Sequence, residues 1–237
     1  MEQHKIAFIT DLHLGESGPI KKGANPEQNW KTVLQDISQR GIRQIIFGGD
    51  LAEKHKLEKL FLEVEAFDVN AILGNHDKYK SIRKYFSAGS SEDELYYAKP
   101  LGAYHGIFLD TSSQKLSITQ QEFLKSELAT AEKPVVFIHH PVLNIGTWMD
   151  KNWPLKNRDE VKHILLACGK PVELISGHYH LAHEHSEGGL SQRIAPAVSY
   201  KICYNPEKNV SDASEFGYLL LDFNSENLIA ENIIFTK

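Results

Sequence analysis

The chain has 237 residues, 41% of them apolar and 24% charged, with a formal charge of −5. That composition suits one sizeable globular domain and gives no electrostatic reason to expect a nucleic-acid duplex as partner. No apolar run is long enough for a membrane span, no basic-then-apolar leader is expected, and Cys168 and Cys203 form no C-x-x-C pair, so a cytoplasmic chain with structural thiols is the expectation.

Residues 5–10 (KIAFIT) read as a buried strand. Asn25 as N-cap and Pro26 at the first helical position open a helix that carries Trp30, Val33, Leu34 and Ile37 on one face. QIIF is a second strand running into Gly48-Gly49-Asp50. Leu57, Leu60, Phe61 and Val64 mark a second amphipathic helix, and VNAIL a third strand. This βαβαβ order implies parallel strands with right-handed crossovers. HGIFLD is a further strand, and Thr119 with Glu122 is expected to form a capping box for the next helix. VVFIHHP and VELISGHYH follow as strands with polar ends. QRIAPAV, EFGYLLLDF and NLIAENIIF are strands with little helix between them, and they are expected to build an antiparallel or mixed second sheet. The sequence holds no repeat and no linker, so one domain spanning residues 1–237 is expected.

Five polar clusters each follow an expected strand: Asp11-x-His13, Gly49-Asp50, Gly74-Asn75-His76-Asp77, His139-His140-Pro141 and Gly177-His178-Tyr179-His180. The carboxyl ends of parallel strands gather on one sheet edge, where sites form. The donors are nitrogen and oxygen, which suits Mn, Fe, Zn or similar ions. Singly, each cluster reads equally as a cap, a turn or a surface imidazole. Five of them in this order, all at strand ends, make a site.

The series D-x-H, G-D, G-N-H-D, H, G-H-x-H resembles the calcineurin-like metallophosphoesterases, over residues 5 to about 200. HHPV, GTWMD and GHYH are most similar to class III cyclic-nucleotide phosphodiesterases and related glycerophosphodiesterases. The resemblance implies a four-layer α/β/β/α sandwich of two mixed sheets flanked by helices. It implies a centre of two divalent or mixed-valence ions of Fe, Mn or Zn, with Asp11, His13 and His180 on one and Asn75, His139 and His178 on the other. Asp50 would bridge them. A homodimer is also implied. Two departures, Val142 where relatives often have proline and Ala195-Pro196-Ala197 in place of a hydroxyl-bearing stretch, bear on the substrate rather than the chemistry.

A phosphodiester is anionic and repels hydroxide, so its hydrolysis needs charge neutralisation and a strong nucleophile at neutral pH. Two metals clamp the phosphoryl oxygens and acidify a bridging water. Asp11 and Asp50 return only half of the charge two divalent ions bring, and Asn75 adds a neutral oxygen, so the site stays positive for its substrate. His76 is not assigned to a metal. It is expected to protonate the leaving alkoxide or to stabilise phosphoryl charge. Asp77 is expected to hold the His76 tautomer, with a turn residue or helix cap as the alternative.

The resemblance implies His139 as the ligand; adjacent side chains on a strand point opposite ways, so both histidines are not expected on one metal and His140 is a supporting or packing residue. His183 and His185 belong either to the rim of the site or to an exposed strand. His4, His55, His105 and His163 read as structural or solvated. Trp148 and Trp153 sit in a long connection and are either a wall for a substrate base or anchors of their own loop. Residues 86–100 are a lid or a mobile surface loop.

The expected activity is hydrolysis of a small phosphodiester, a cyclic nucleotide first, with a glycerophosphodiester or a phosphomonoester as alternatives. Lipid-precursor pyrophosphate hydrolases share DLHL but usually carry arginine at the position of His76, and the acidic balance disfavours a nuclease. A catalytically inactive binding scaffold is the rival from another class, and the complete set of ligand positions argues against it.

Overall fold

The computed structural model describes residues 5–223 and 227–237, so His4 lies outside the described residues. An unbroken apolar stretch makes β1 (Lys5–Ile9) a central strand, because only a strand covered on both faces tolerates such a run. After the short α1 (Ser17–Lys21), Asn25 caps α2 (Pro26–Gln39) by accepting from Gln28 N, with Pro26 at the first helical position. α2 buries Trp30, Val33 and Ile37, and burial of each such side chain is worth about 1.5–3 kcal/mol. β2 (Gln44–Phe47), α3 (Lys54–Glu63) and β3 (Asp68–Ala71) complete the expected parallel unit, with Ala7 beside Ile45 and Ile45 beside Val69.

The second sheet begins after α4 (Tyr79–Ile82) with the hairpin β4 (Tyr97–Leu101) and β5 (Tyr104–Leu109). It continues through α5 (Ile118–Thr130), β6 (Pro134–Ile138), α6 (Trp148–Asn152), α7 (Arg158–Ala167), β7 (Val172–Ser176), β8 (His183–Glu187) and β9 (Leu190–Ile194). Its order is β4-β5-β6-β7-β9-β8, parallel in the middle and antiparallel at both edges. β10 (Lys201–Ile202) and β11 (Ser211–Asp212) form a small ribbon. β12 (Glu215–Asp222) and β13 (Ile229–Thr236) then return to the first sheet, giving the order β13-β12-β1-β2-β3.

Alternation along the strands divides the core. On β5, Phe108 belongs to the core between the sheets and stacks on Phe137 of the neighbouring β6, with ring centroids 4.7 Å apart, whereas Ile107 and Leu109 belong to the core shared with α5 and α7. Phe8 and Phe137 have ring centroids 5.9 Å apart across the sheet interface. Helices outside two facing mixed sheets make the four-layer α/β/β/α sandwich that the motif series implied. Among the described residues, no helix is long and apolar enough to cross a membrane.

Two expectations about local structure need correction. Ser117, not Thr119, caps α5 by accepting from Gln120 N, and Glu122 lies inside the helix paired with Lys125. The buried Gln120 bonds both backbone groups of Asp110, which draws the helix start two residues earlier. The last two strands extend the first sheet rather than building the second, because β12 pairs with the free side of β1 from Lys5↔Asp222 to Phe8↔Leu219.

Candidate metal centre

All five clusters lie at the carboxyl ends of β1, β2, β3, β6 and β7. Six non-glycine residues among those described have positive φ, and five of them are Asp11, His13, Asp50, His178 and His180. Left-handed backbone at such residues costs on the order of 1 kcal/mol each, and it persists where the surroundings over-determine it. The preceding glycines serve close approach. A Cβ on Gly74 would lie 2.2 Å from Asp50 Oδ1, and one on Gly177 would lie 2.1 Å from Thr10 Oγ1.

The buried carboxylate of Asp11 is held on one side only. Its Oδ2 accepts from Thr10 Oγ1 at 2.8 Å and from His178 N at 2.9 Å, while Oδ1 has no hydrogen-bond partner. Asp50 Oδ1 accepts from His76 N at 2.8 Å, which leaves Oδ2 facing His139 Nε2 at 3.3 Å and His13 Nε2 at 3.8 Å. His180 Nε2 lies 3.2 Å from Asp11 Oδ1 and 3.2 Å from His13 Nε2.

Each imidazole is anchored through one nitrogen. His13 Nδ1 contacts Glu16 Oε1, His139 Nδ1 contacts Gly48 O, His180 Nδ1 contacts Tyr200 O, and His178 Nε2 contacts Trp153 O, at 2.7–3.0 Å. A nitrogen that donates to an oxygen leaves the other nitrogen as a lone pair, the arrangement of a metal-ligating histidine. The donor atoms of the expected ligands form the groups Asp11–His13–His180 and Asp50–His139–His178, and a third group, His13–Asp50–His76, takes in His76, each within 4.8 Å.

The unpartnered buried atoms test whether these residues fit metal ions. Asp11 Oδ1, Asn75 Oδ1 and His139 Nε2 are among them, and all three belong to expected ligands. Buried acceptors without donors are expensive unless a cation completes them. The field has the right sign as well. Burial alone would lower His139, but Asp50, Asp11 and the Gly48 carbonyl together outweigh it and raise that histidine to about 9. Burial, reinforced by His139, brings His178 down to about 4 and keeps it neutral. The residues fit a cation-binding centre.

His76 stands at the edge of this cluster, more exposed than the other imidazoles, with its ring against His13 at 4.7 Å between centroids. Asp77 does not serve it. Asp77 Oδ2 accepts from Asp50 N at 2.7 Å and Gly74 N at 2.9 Å, and Oδ1 accepts from Leu51 N at 3.0 Å. Those amides belong to the turns after β2 and β3, so Asp77 staples the two turns together, which is the turn-residue reading. The carboxylate beside His76 is Glu16, a residue that sequence reasoning missed. Its Oε1 lies 3.0 Å from His76 Nδ1. The only signal in the sequence was its position three residues after His13.

His140 is buried behind the cluster, with Nδ1 2.8 Å from Thr111 Oγ1 and its ring 4.1 Å from that of His178. It packs against a candidate ligand rather than joining one of the groups. Val142 has a structural reason to replace proline, since its amide donates to the buried Gln192 Oε1 at 2.7 Å and proline has no such donor. His183 and His185 lie on the edge strand β8 and do not line the cavity described next. Residues 86–100 are tied down and lie away from that cavity, with Leu95 N donating to Asp110 and Tyr79 donating to Ser91 O. His55 and His163 are exposed, and His105 pairs with Glu127.

A cavity of about 430 Å³ opens in front of the cluster. Asp50, Asn75 and His76 form its polar floor, and Trp148, Met149, Trp153 and Tyr200 form an apolar wall. The tryptophans are both wall and anchored loop. Asp150 accepts from Arg158, from Tyr179 and from the amides of Ile145 and Gly146, which fixes the segment that carries them.

Fold and site together define a phosphoester hydrolase. The calcineurin-like phosphoesterase profile matches residues 4–182, and the chain belongs to that family. It is 26% identical over 185 residues to a probable cyclic nucleotide phosphodiesterase of Fibrobacter succinogenes, covering 74% of this chain and 72% of that one. It is 25% identical over 235 residues to a probable cyclic nucleotide phosphodiesterase of Vesicomyosocius okutanii, covering 94% and 96%. A dimetal phosphatase from Danio rerio has the same fold, with a TM-score of 0.74 at 13% identity and 99% of each chain covered.

Proposed function

We propose that the protein is a dinuclear metallophosphoesterase that hydrolyses a small phosphodiester, a cyclic nucleotide first among them. The observation that carries this reading is the position of Asp50. Its Oδ2 faces His139 on one side and His13 on the other, at 3.3 and 3.8 Å, so a single carboxylate oxygen stands between the two donor groups. Asp11, His13 and His180 would hold one ion, and Asn75, His139 and His178 the other. Two bound ions supply positive charge for the phosphoryl oxygens and make an attacking water more acidic.

The chain's own residues do the rest. Asp11 and Asp50 are pinned through one oxygen each, so their free oxygens need no reorganisation. Asn75 contributes a neutral oxygen and preserves the positive surplus for an anionic substrate. His76 has one nitrogen committed to Glu16 and the other available to give a proton to the leaving alkoxide. Trp148, Trp153 and Tyr200 offer flat apolar surface suited to a nucleobase, in agreement with what the relatives are named for.

The test is metal analysis combined with a substrate panel. Protein loaded with Mn²⁺ or Fe²⁺ should hold two ions per chain and turn over bis(p-nitrophenyl) phosphate. Cyclic nucleotides should be preferred to glycerophosphodiesters and phosphomonoesters. Two bound ions without turnover across the whole panel would mean a scaffold.

A further inference from the structure

Glu16 occupies the N-cap position of α1, yet its side chain makes no capping hydrogen bond. Its backbone amide closes a turn on His13 O at 3.2 Å, and the carboxylate swings back toward the imidazoles. A single oxygen, Oε1, then lies 3.0 Å from His13 Nδ1 and 3.0 Å from His76 Nδ1. The two rings meet edge to face, at 87° between planes. Glu16 is mostly covered, whereas the side chain of His76 is 45% exposed. Without an anchor, an imidazole that exposed would rotate freely and exchange tautomers. Glu16 and His76 also line a second cavity, of about 240 Å³, so the pair forms the partition between it and the larger one.

We propose that Glu16 is a positioning residue for the reaction. One carboxylate oxygen ties His76 to His13, sets the place of His76 relative to the metal centre, and commits Nδ1 of both rings as donors. His13 then presents Nε2 to His180 and Asp11, and His76, in the imidazolium form that the acid role requires, keeps its Nε2–H free to be given up while Nδ1–H stays on Glu16. This inference rests on the reading of His76 as the proton donor to the leaving group.

The experiment compares Glu16→Ala, Glu16→Gln and His76→Ala on a cyclic nucleotide, whose alkoxide leaves poorly, and on bis(p-nitrophenyl) phosphate, whose phenolate leaves without help. Glu16→Ala should lower kcat for the cyclic nucleotide by about 10- to 100-fold with KM little changed, and lose less than about 3-fold on the activated diester. Glu16→Gln, which keeps an acceptor oxygen, should recover most of the loss. Metal content should remain at the wild-type level. Long-range ¹H–¹⁵N spectra of the zinc-loaded protein, taken at alkaline pH where the ring has given up its second proton, should show the remaining His76 proton on Nδ1 in the wild type and shared between Nδ1 and Nε2 in Glu16→Ala. An unchanged His76 tautomer, or a loss explained wholly by missing metal, overturns the inference. If His76→Ala shows no discrimination between the two leaving groups, the acid reading of His76 fails, and Glu16 is judged by the tautomer alone.

Discussion

His178 Nε2 donates to the backbone carbonyl of Trp153 across 2.8 Å, so the residue that walls the cavity also orients an imidazole of the candidate metal centre. The contact uses the main chain, which leaves the indole of Trp153, a residue 51% exposed, available to a substrate. Wall and centre are thereby joined by one short segment.

Removing the indole should separate the two roles. Trp153→Ala keeps the carbonyl, so metal content should be unchanged. Loss of stacking worth about 1 kcal/mol should raise KM for a cyclic nucleotide roughly 5-fold, with little effect on a glycerophosphodiester. Steady-state kinetics on both substrates checks this. A fall in metal occupancy would show that the ring supports the loop instead.

Asp150 is the anchor behind that wall. It accepts from Arg158, from Tyr179, which lies between His178 and His180, and from two amides. Asp150→Ala strands these donors, at a cost of about 3–5 kcal/mol. Thermal melts should fall by roughly 6–20 °C for a chain of this size. Metal affinity, measured by titration of the chelated protein, should weaken with it.

In the metal-free protein the Glu16–His76 pair should stabilise the fold most in a defined pH window. The hydrogen bond to Glu16 raises His76 from 6.5 to about 9. Its stabilising contribution is therefore complete below 6.5 and is lost as pH rises through about 9. Burial alone would raise Glu16, but hydrogen bonds from His13 and His76 outweigh it and hold the carboxyl at about 2, against 4.5 ordinarily. That contribution is complete above 4.5 and is lost as pH falls through about 2. Both are at full strength only between 4.5 and 6.5. Urea melts of chelated protein across pH should show the decline above that window, and Glu16→Gln should flatten it.

Asn75→Asp should retain metal and weaken the substrate. The change adds one negative charge at an oxygen now unpartnered, so ion binding is kept or strengthened while the positive surplus falls. KM for an anionic diester should rise by about 10-fold, the equivalent of roughly 1.4 kcal/mol. An unchanged KM with full metal content sinks the idea.

Adding metal to chelated protein should raise the melting temperature in a concentration-dependent way. Ligand at a hundred times its dissociation constant adds about 2.7 kcal/mol per site. Asp50→Asn, which weakens the one carboxylate between both groups, should blunt the response most.

Strands, the donors at their ends and the edge on which they meet were legible in the order of residues. Those features follow from local rules. A run such as VVFI must be buried on both faces, and a parallel βαβ unit puts every strand end on the same side. Caps such as Asn25 and Pro26 were legible for the same reason, since their partners lie within one turn. Hydrogen-bond choice at long range was not legible. Asp77 beside His76 in sequence promised a contact, but two amides of the turn after β2 and one of its own turn reach its carboxylate first, and Glu16, 60 residues away, takes the imidazole. The sheet chosen by β12 and β13 was equally hidden, because alternation states which face of a strand is buried but not which neighbour it pairs with. Only the tertiary structure decides such matters, since an acceptor bonds to whichever donors the fold brings within about 3 Å of it.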